Sequence, residues 1–304
     1  MAWDSSQSAC LDSSHRPVLV TEVVALLSGR DVVVDATVGA GGHAEALLES
    51  GVGLVLGVDR DASALRAASD RLGRFGERFR PVVARFSRLS SAAAAAGVES
   101  VGGVLFDLGV SSMQLDREDR GFGYRSVGPL DMRMGPDEPG PGLSASDVVN
   151  TYPEERLATV IFEYGEERHS RRIARAIVRA RERAPLTTTA ELAAIVAGSV
   201  PRRRGGPHPA RRTFQAIRIE VNGELEELTA SLPQAVSLLE RAGRLVVISY
   251  HSLEDRIVKQ FFRGETRLDT LIKKPLRPDP AEVETNPRAR SALLRAAERL
   301  EEAA

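Results

Sequence analysis

The chain has 304 residues, of which 42% are apolar and 27% are charged. This length predicts about two domains, and the composition excludes disorder of the whole chain. The one cysteine, Cys10, excludes an internal disulfide and a cysteine-based zinc site. No apolar stretch approaches the roughly 18 residues of a membrane span, and the polar N-terminal segment lacks the pattern of a signal peptide. We therefore expect a cytoplasmic protein that makes no membrane contact.

The first third of the chain alternates short apolar, β-branched runs with helix-like stretches. Strands are predicted over 32–35, 54–59, 81–84 and 103–107, and helices over 44–50, 62–72 and 90–96. The strands are almost entirely apolar, as parallel strands are when helices cover both faces of their sheet. This alternation predicts an α/β fold with a doubly wound, Rossmann-like sheet.

The alternation stops after Asp107 and resumes only at the apolar run 244–250. A loop rich in glycine, proline and aspartate over 121–142 opens the gap, and helical patterning follows from 144 to 239. We therefore predict an α/β domain that a second, helical domain interrupts. The predicted α/β domain comprises 1–115 and 240–304, and the predicted inserted domain comprises 116–239.

A strand, a glycine turn and a helix follow one another in the segment VVVDATVGAGGH. The strand ends in Asp35, and Gly39, Gly41 and Gly42 open the helix, where glycine permits positive φ and a close approach of the backbone to a ligand. The next strand ends in Asp59, where an acid commonly binds both ribose hydroxyls. A tight turn with a helix-capping acid would explain the glycines, but it would not explain Asp59.

NAD and S-adenosylmethionine (SAM) both contain the adenosine that such a turn binds. Asp35 favours SAM, because a carboxylate suits a sulfonium and opposes the diphosphate that a dinucleotide places at the helix N-terminus. We expect Asp35 to contact the cofactor near its cationic methionine end. The fourth strand also ends in an acid, Asp107, at the edge where doubly wound sheets place their reaction sites. The residues alone therefore favour a SAM-dependent methyltransferase over a nicotinamide-dependent oxidoreductase.

Ten motifs, in chain order, resemble the bacterial 16S rRNA cytosine N(4)-methyltransferase family, also called RsmH or MraW. They are HRPVL (15–19), DATVGAGGHA (35–44), GVDRD (57–61), FDLGVSSMQLD (106–116), RGFGY with GPLDMRM (120–134), YGEER (164–168), RRIARAIV (171–178), RTFQAIRIEVNGELEEL (212–228), SYHSLEDRIVK (249–259) and NPRARSALLRAAER (286–299). The resemblance implies a class I SAM-dependent methyltransferase fold with an inserted helical domain. It also implies a strand over 292–297, although propensity over 290–300 favours a helix.

The resemblance implies methyl transfer from SAM to the exocyclic N(4) amine of a cytidine, position 1402 of 16S rRNA, in the small ribosomal subunit. It implies no metal, and the sequence leaves a homodimer open. Carried over residue by residue, the expected SAM contacts are Ala40, Gly41, Gly42, His43, Asp59, Phe86, Asp107 and Gln114. The turn amides would bind the methionine carboxylate, Asp59 the ribose hydroxyls, and Phe86 the adenine ring.

The cytosine amine is a poor nucleophile because its lone pair is delocalised into the ring. Related amino-methyltransferases bind the amine hydrogens with an Asp, Asn or Ser followed by two prolines and an aromatic residue, and DLGVSS departs from that motif. We expect Asp107 or a following carbonyl to accept these hydrogens, with Ser111 and Ser112 as contacts to the base. His251, after the fifth strand, is a further catalytic candidate. The chain's five histidines include no ligand-spaced pair, which argues against a metal site.

The middle of the chain is strongly basic. Between residues 168 and 218, 13 arginines against two glutamates give a net charge of +11, whereas the whole chain has a net charge of −1. This charge favours RNA binding. The expected RNA contacts are Arg168, Arg171, Arg172, Arg175 and Arg179 on one helical face, and Arg202, Arg203, Arg204, Arg211 and Arg212 in or beside a loop. The alternatives are a solvated helix face and, for the whole chain, a non-catalytic RNA-binding assembly factor.

Overall fold

The computed structural model describes residues 17–136, 142–201 and 206–301, and these residues contain one seven-stranded sheet. The strands are β1 Val32–Asp35, β2 Leu54–Asp59, β3 Phe79–Val83, β4 Val101–Asp107, β5 Leu239–Ser249, β6 Leu268–Thr270 and β7 Leu293–Arg299. Their order is β3-β2-β1-β4-β5-β7-β6. Strands β1 to β5 are parallel, and β7 is antiparallel to both of its neighbours. The predicted doubly wound α/β sheet and the class I methyltransferase fold are confirmed.

Strand β7 decides between the two predictions for the end of the chain. Propensity favoured a helix, whereas the family resemblance implied a strand. The chain forms the strand, and Ala296 and Ala297 lie opposite Val246 and Leu245 of β5. Both alanines are fully buried. The strand predicted over 292–297 is confirmed, because pairing and burial beside β5 override the helical propensity of alanine.

The described residues form thirteen α-helices. They are α1 Val20–Leu27, α2 Gly42–Glu49, α3 Ala62–Leu72, α4 Leu89–Ala95, α5 Ser112–Asp116, α6 Ala145–Thr151, α7 Glu154–Glu163, α8 Ser170–Arg181, α9 Thr189–Ser199, α10 Arg211–Asn222, α11 Glu224–Leu238, α12 Ser252–Gly264 and α13 Pro280–Thr285. Helices α1 to α3 pack on one face of the sheet, and α4, α11 and α12 pack on the other. None of the described helices combines the length and apolarity needed to cross a bilayer.

Helices α6 to α10 form a separate apolar core together with Phe122, Leu130 and Met132. Helix α11 does not belong to it, because Leu228, Leu232 and its neighbours pack into the core beneath the sheet. The helical core therefore ends with α10, one helix earlier than the boundary predicted at residue 239. We propose that 116–222 is the inserted domain and that α11 belongs to the α/β domain.

Substitution of Gly57, in the middle of β2, tests how tightly side chains pack against the sheet. A Cβ atom there would lie 2.6 Å from Phe79 Cε2 and 3.0 Å from Val38 Cγ2. We expect Gly57→Ala to lower the free energy of unfolding by about 1–3 kcal/mol, because two buried side chains must move. Denaturant unfolding of the purified protein measures this change.

Gly198 in α9 is the matched control, because a Cβ atom there would meet nothing within 4 Å. Gly198→Ala should leave the free energy of unfolding unchanged or raise it by about 0.5–1 kcal/mol, since alanine is the better helix former. Equal losses in both variants would contradict this account of the core.

Candidate active site

A cavity of about 620 Å³ opens at the carboxyl edge of the parallel strands. Its sheet side includes Asp59 at the end of β2 and Asp107 at the end of β4. Its facing side comes from the helical insertion and includes Tyr124 and Phe214. The volume falls in the range of roughly 300–1,000 Å³ that small-molecule sites have, and doubly wound sheets bind their ligands at this edge.

The glycine turn between β1 and α2 uses left-handed backbone conformations. Gly39 has φ 50° and Gly41 has φ 81°. A Cβ atom on Gly41 would lie 3.0 Å from Leu72 Cδ1, so Gly41 allows α2 to pack closely on α3. Gly41 is not among the lining residues of the cavity. The turn residues that line it are Gly39, Ala40, Gly42 and His43.

Asp59 is held by the turn that it faces. Gly39 N donates to Asp59 Oδ2 at 2.9 Å, and Asp61 N donates to Asp59 Oδ1 at 2.9 Å. Burial raises the pKa of Asp59 to about 6, and the two backbone donors oppose the shift. Because each carboxylate oxygen has one backbone donor, each keeps a further acceptor position for a ligand hydroxyl.

Asp35 lies beneath the turn and not in the cavity wall. It is 1% exposed and accepts a hydrogen bond from Thr37 N at 3.2 Å. Burial raises the pKa of Asp35 to about 7, and the nearby His43 opposes the shift. The sequence predicted a cofactor contact at Asp35. The structure places Thr37 on the cavity surface, and Asp35 is not among the lining residues.

Asp107 is fixed from several sides. Tyr250 OH donates to Asp107 Oδ1 at 2.7 Å, and Asp107 N donates to Thr37 Oγ1 at 2.7 Å. His43 Nδ1 lies 3.6 Å from Asp107 Oδ2. The other ring nitrogen, His43 Nε2, donates to Val18 O at 2.9 Å. Burial raises the pKa of Asp107, and His43 and Tyr250 oppose the shift.

Phe86, Ser111 and Gln114 complete the sheet side of the cavity. Phe86 packs edge-on against Phe106, with 5.8 Å between the ring centroids. Gln114 N donates to Ser111 Oγ at 3.2 Å and Ser111 N donates to Gln114 Oε1 at 3.1 Å, which makes a capping box at α5. Ser112 is the first residue of that helix. The side chains of Ser111 and Gln114 therefore both cap the N-terminus of α5 and line the cavity.

A buried ion pair joins the sheet to the insertion. Arg120 Nη1 lies 2.8 Å from Asp61 Oδ2, with side chains 9% and 2% exposed. Arg120 Nη2 also donates to Met134 O at 3.1 Å. Burial favours a higher pKa for Asp61, but hydrogen bonds from Ser63 and Arg120 outweigh burial and hold the pKa below its usual value. Sequence reasoning gave this pair no role, although both residues stand in the family motifs.

Aromatic rings form the insertion side of the cavity. Tyr124 stacks on His208, with 4.9 Å between centroids and 20° between planes. Phe214 meets the Tyr124 ring edge-on at 5.8 Å. All three rings line the cavity, and rings of this kind can stack nucleobases. The sequence prediction missed them, and the only signal for Tyr124 and Phe214 was their place in family motifs.

A polar cluster at the start of α12 lines the same cavity and consists of Arg218, Glu224, His251 and Glu254. His251 Nδ1 accepts a hydrogen bond from Glu254 N at 3.4 Å, and Glu254 Oε2 accepts one from His251 N at 3.2 Å. Arg218 Nε and Nη2 donate to the two oxygens of Glu224 at 2.8 and 2.7 Å. Only His251 was predicted as a site residue.

The expected RNA contacts on α8 contribute to a second, basic groove of about 520 Å³. Its arginines are Arg172, Arg175, Arg179 and Arg183, and Gly198 and Ser199 of α9 also line it. Arg183 was not among the expected contacts. Arg168 and Arg171 are exposed and are not among the lining residues. Several guanidinium groups on one groove favour an anion such as phosphate.

The remaining expected arginines stand before or at the start of α10. Arg211 lines the main cavity, whereas Arg212 Nη1 donates to Glu166 O at 3.1 Å. Arg202, Arg203 and Arg204 lie outside the described residues. The expected RNA contacts among the described residues therefore contribute to more than one surface, and Arg211 is the one that reaches the cavity.

The sequence profile of the MraW methylase family matches residues 12–300. A ribosomal RNA small subunit methyltransferase H from Carboxydothermus hydrogenoformans is 48% identical over 95% of this chain and 99% of its own. One from Methylobacterium sp. (strain 4-46) is 50% identical over 94% of this chain and 90% of its own. The solved structure of an rRNA methylase from Streptococcus thermophilus covers 93% of this chain and 94% of its own, with a TM-score of 0.44 and 13% identity. The resemblance seen in the motifs is confirmed, and the chain belongs to the MraW methylase family.

Proposed function

We propose that the protein transfers the methyl group of SAM to the exocyclic N(4) amine of a cytidine, position 1402, in the 16S rRNA of the small ribosomal subunit. Relatives sharing about half of its residues are named small-subunit rRNA methyltransferases, and the chain is a SAM-dependent enzyme of this family. The observation that carries the proposal is the single cavity that joins the nucleotide-type turn to the aromatic and basic insertion. A nicotinamide-dependent oxidoreductase is not supported.

The residues on the sheet side fit SAM. Asp59 offers two positioned carboxylate oxygens to ribose hydroxyls, and Phe86 offers a ring to the adenine. The Ala40–His43 turn stands at the N-terminus of α2, which favours a carboxylate such as that of the methionine part. Three acids lie near this turn and favour a cation: Asp35 is buried, and Asp59 and Asp107 are half-buried. We expect Gln114 to contact the cofactor from the α5 side.

When bound, SAM supplies an electrophilic methyl group on a sulfonium. Asp107 would accept a hydrogen bond from the cytosine amine, which directs the nitrogen lone pair out of the ring and toward that methyl. Tyr250 and Thr37 hold Asp107 in place, so the carboxylate needs no reorganisation. Transfer of the methyl from sulfur to nitrogen would leave the amine with one proton to lose, and Asp107, whose pKa is raised by burial, would receive that proton. Positioning of this kind accounts for up to about 7–11 kcal/mol of a barrier.

The target base would enter between the sheet and the insertion. The Tyr124–His208 stack offers a surface for a nucleobase, and Ser111, Ser112 and His251 remain our expected contacts to the base. Arg211 and the groove arginines of α8 would bind RNA phosphates. The cytoplasmic setting and a homodimer stay predictions from the sequence.

Replacement of Asp107 tests the acceptor role. We expect Asp107→Ala to lower kcat by about a hundredfold, the size of effect that follows removal of one preorganised polar group from an active site. Single-turnover methyl transfer to small ribosomal subunits at saturating SAM measures the change. Tyr250→Phe keeps the carboxylate and removes one hydrogen bond to it, so its loss should be smaller. Full turnover of Asp107→Ala with unaltered SAM affinity would contradict the role.

The pKa values of Asp35, about 7, and Asp59, about 6, predict a pH-dependent affinity for SAM. Both carboxyls are protonated below these values and ionised above them, and the ionised forms favour a sulfonium. The Kd for SAM should therefore fall between about pH 5 and pH 8, with release of protons on binding. Isothermal titration in two buffers of different ionisation enthalpy measures both quantities.

The demethylated product, S-adenosylhomocysteine, is the control ligand because it lacks the sulfonium charge. It should release fewer protons and show a weaker pH dependence. An affinity for SAM that stays constant or decreases with rising pH would show that the charges of Asp35 and Asp59 do not act on the cofactor.

Substitution of arginines in the basic groove tests whether this groove binds RNA phosphates. If the protein neutralises about five phosphates, the logarithm of its RNA affinity should fall with the logarithm of salt concentration at a slope near −4. Arg172→Gln and Arg179→Gln should each make the slope shallower by about 1. Arg156→Gln is the control, because Arg156 Nη2 is bonded to Glu220 at 3.1 Å, outside the groove. A slope near zero for the wild type would argue against the groove.

A further inference from the structure

The polar cluster contains a buried nitrogen that makes no aligned hydrogen bond among the described residues. His251 Nε2 makes no hydrogen bond, and its side chain is 9% exposed. Because Nδ1 accepts the hydrogen of Glu254 N, the neutral ring carries its own proton on Nε2. Nε2 lies 3.2 Å from Glu254 Oε1, but without hydrogen-bonding alignment. A buried donor of this kind indicates a ligand that supplies an acceptor.

The charges of the cluster disfavour a phosphate as that ligand. Arg218 already neutralises Glu224 through two hydrogen bonds at 2.8 and 2.7 Å. Glu254 is a second carboxylate, and its Oε2 accepts backbone hydrogens from Tyr250 at 2.8 Å and from His251 at 3.2 Å. Its Oε1 is turned toward His251 Nε2. The four side chains together carry one net negative charge, so they suit a neutral ligand with both a donor and an acceptor.

A metal ion fits this cluster less well. Atoms of Glu224, His251 and Glu254 lie within 4.8 Å of one another, which is a spacing that a cation could use. However, His251 Nε2 presents a hydrogen and not a lone pair, and Arg218 occupies both oxygens of Glu224. The cluster therefore presents one donor and one acceptor side by side.

We infer that His251 and Glu254 recognise the Watson–Crick edge of the target cytosine, an inference that rests on the proposed function. His251 Nε2–H would donate to cytosine N3, and Glu254 Oε1 would accept one hydrogen of the N4 amine. The two protein atoms lie 3.2 Å apart, and N3 and N4 are neighbours on the base, so two parallel hydrogen bonds form. Uracil presents the opposite pattern, an acceptor at C4 and a donor at N3, and is rejected.

Tyr250 links this recognition to the reacting amine. Its hydroxyl donates to Asp107 at 2.7 Å, and its backbone N–H donates to Glu254 at 2.8 Å. A cytosine amine has two hydrogens, and the two carboxylates that Tyr250 orients provide an acceptor for each. Glu254 and His251 are thus positioning residues that hold the base, while Asp107 acts at the reacting nitrogen.

The test combines a His251 variant with a base that lacks the N3 acceptor. His251→Ser retains a side chain that caps helices well and removes the Nε2 donor. Small ribosomal subunits carrying cytidine or 3-deazacytidine at the target position serve as substrates, and the ratio of kcat/KM for the two is measured. We expect a ratio of about tenfold for the wild type, the effect of one lost hydrogen bond to a base edge, and a ratio near one for His251→Ser.

His169→Ser is the matched control, because His169 is exposed before α8 and lines neither cavity. It should keep the wild-type ratio. Each ratio compares two substrates on one enzyme preparation. Partial unfolding of a variant lowers kcat/KM for both substrates by the same factor, so it leaves the ratio unchanged.

Equal ratios for the wild type and His251→Ser would overturn the inference. So would a requirement for a divalent cation that His251→Ser abolishes, since that result would assign the cluster to a metal. Failure of the wild type to methylate the cytidine substrate would instead refute the proposed function, so the two failures are distinguishable.

Discussion

The ion pair between Asp61 and Arg120 is the contact on which the shape of the cavity depends. Asp61 lies two residues after the end of β2 and caps α3 by accepting a hydrogen bond from Ser63 N at 2.9 Å. Arg120 binds Asp61 and the Met134 carbonyl of the insertion with the same guanidinium. The pair thereby holds the sheet side of the cavity to the insertion side. Loss of one partner from a buried pair costs about 3–5 kcal/mol, because the other charge stays buried and unpaired.

Within the insertion, helix α10 is bonded to the segment 132–134 that Arg120 also contacts. Asn222 accepts a hydrogen bond from Met134 N and donates one to Met132 O, both at 2.8 Å. The residues of α10 that line the cavity recur at helical spacing, so one face of the helix is turned toward the ligand. They are Arg211, Phe214, Gln215, Arg218 and Asn222. Because Asn222 and Arg218 belong to the same helix, the two hydrogen bonds of Asn222 also fix the position of Arg218.

Sequence reasoning predicted the parts of the site that local pattern determines. A run of β-branched residues ending in an acid indicates a parallel strand, and parallel strand ends meet at one edge, so Asp59 and Asp107 were expected to share a cavity. Helix α11 was assigned to the insertion because apolar periodicity shows that one face is buried, but not which core buries it. The convergence of Arg218, Glu224 and His251 was missed because it depends on how distant segments pack.

The start of α12 shows that one ring can serve two structural purposes at once. Serine, threonine, aspartate and asparagine are usually interchangeable as N-cap residues, directly before a helix, and each would satisfy the amide of Glu254. None of them also presents a donor on the far side of a rigid ring, as His251 does. Substitutions that aim to raise the melting temperature by improving helix N-caps should therefore leave His251 unchanged. A more stable N-cap there would be gained at the expense of selectivity for the substrate base.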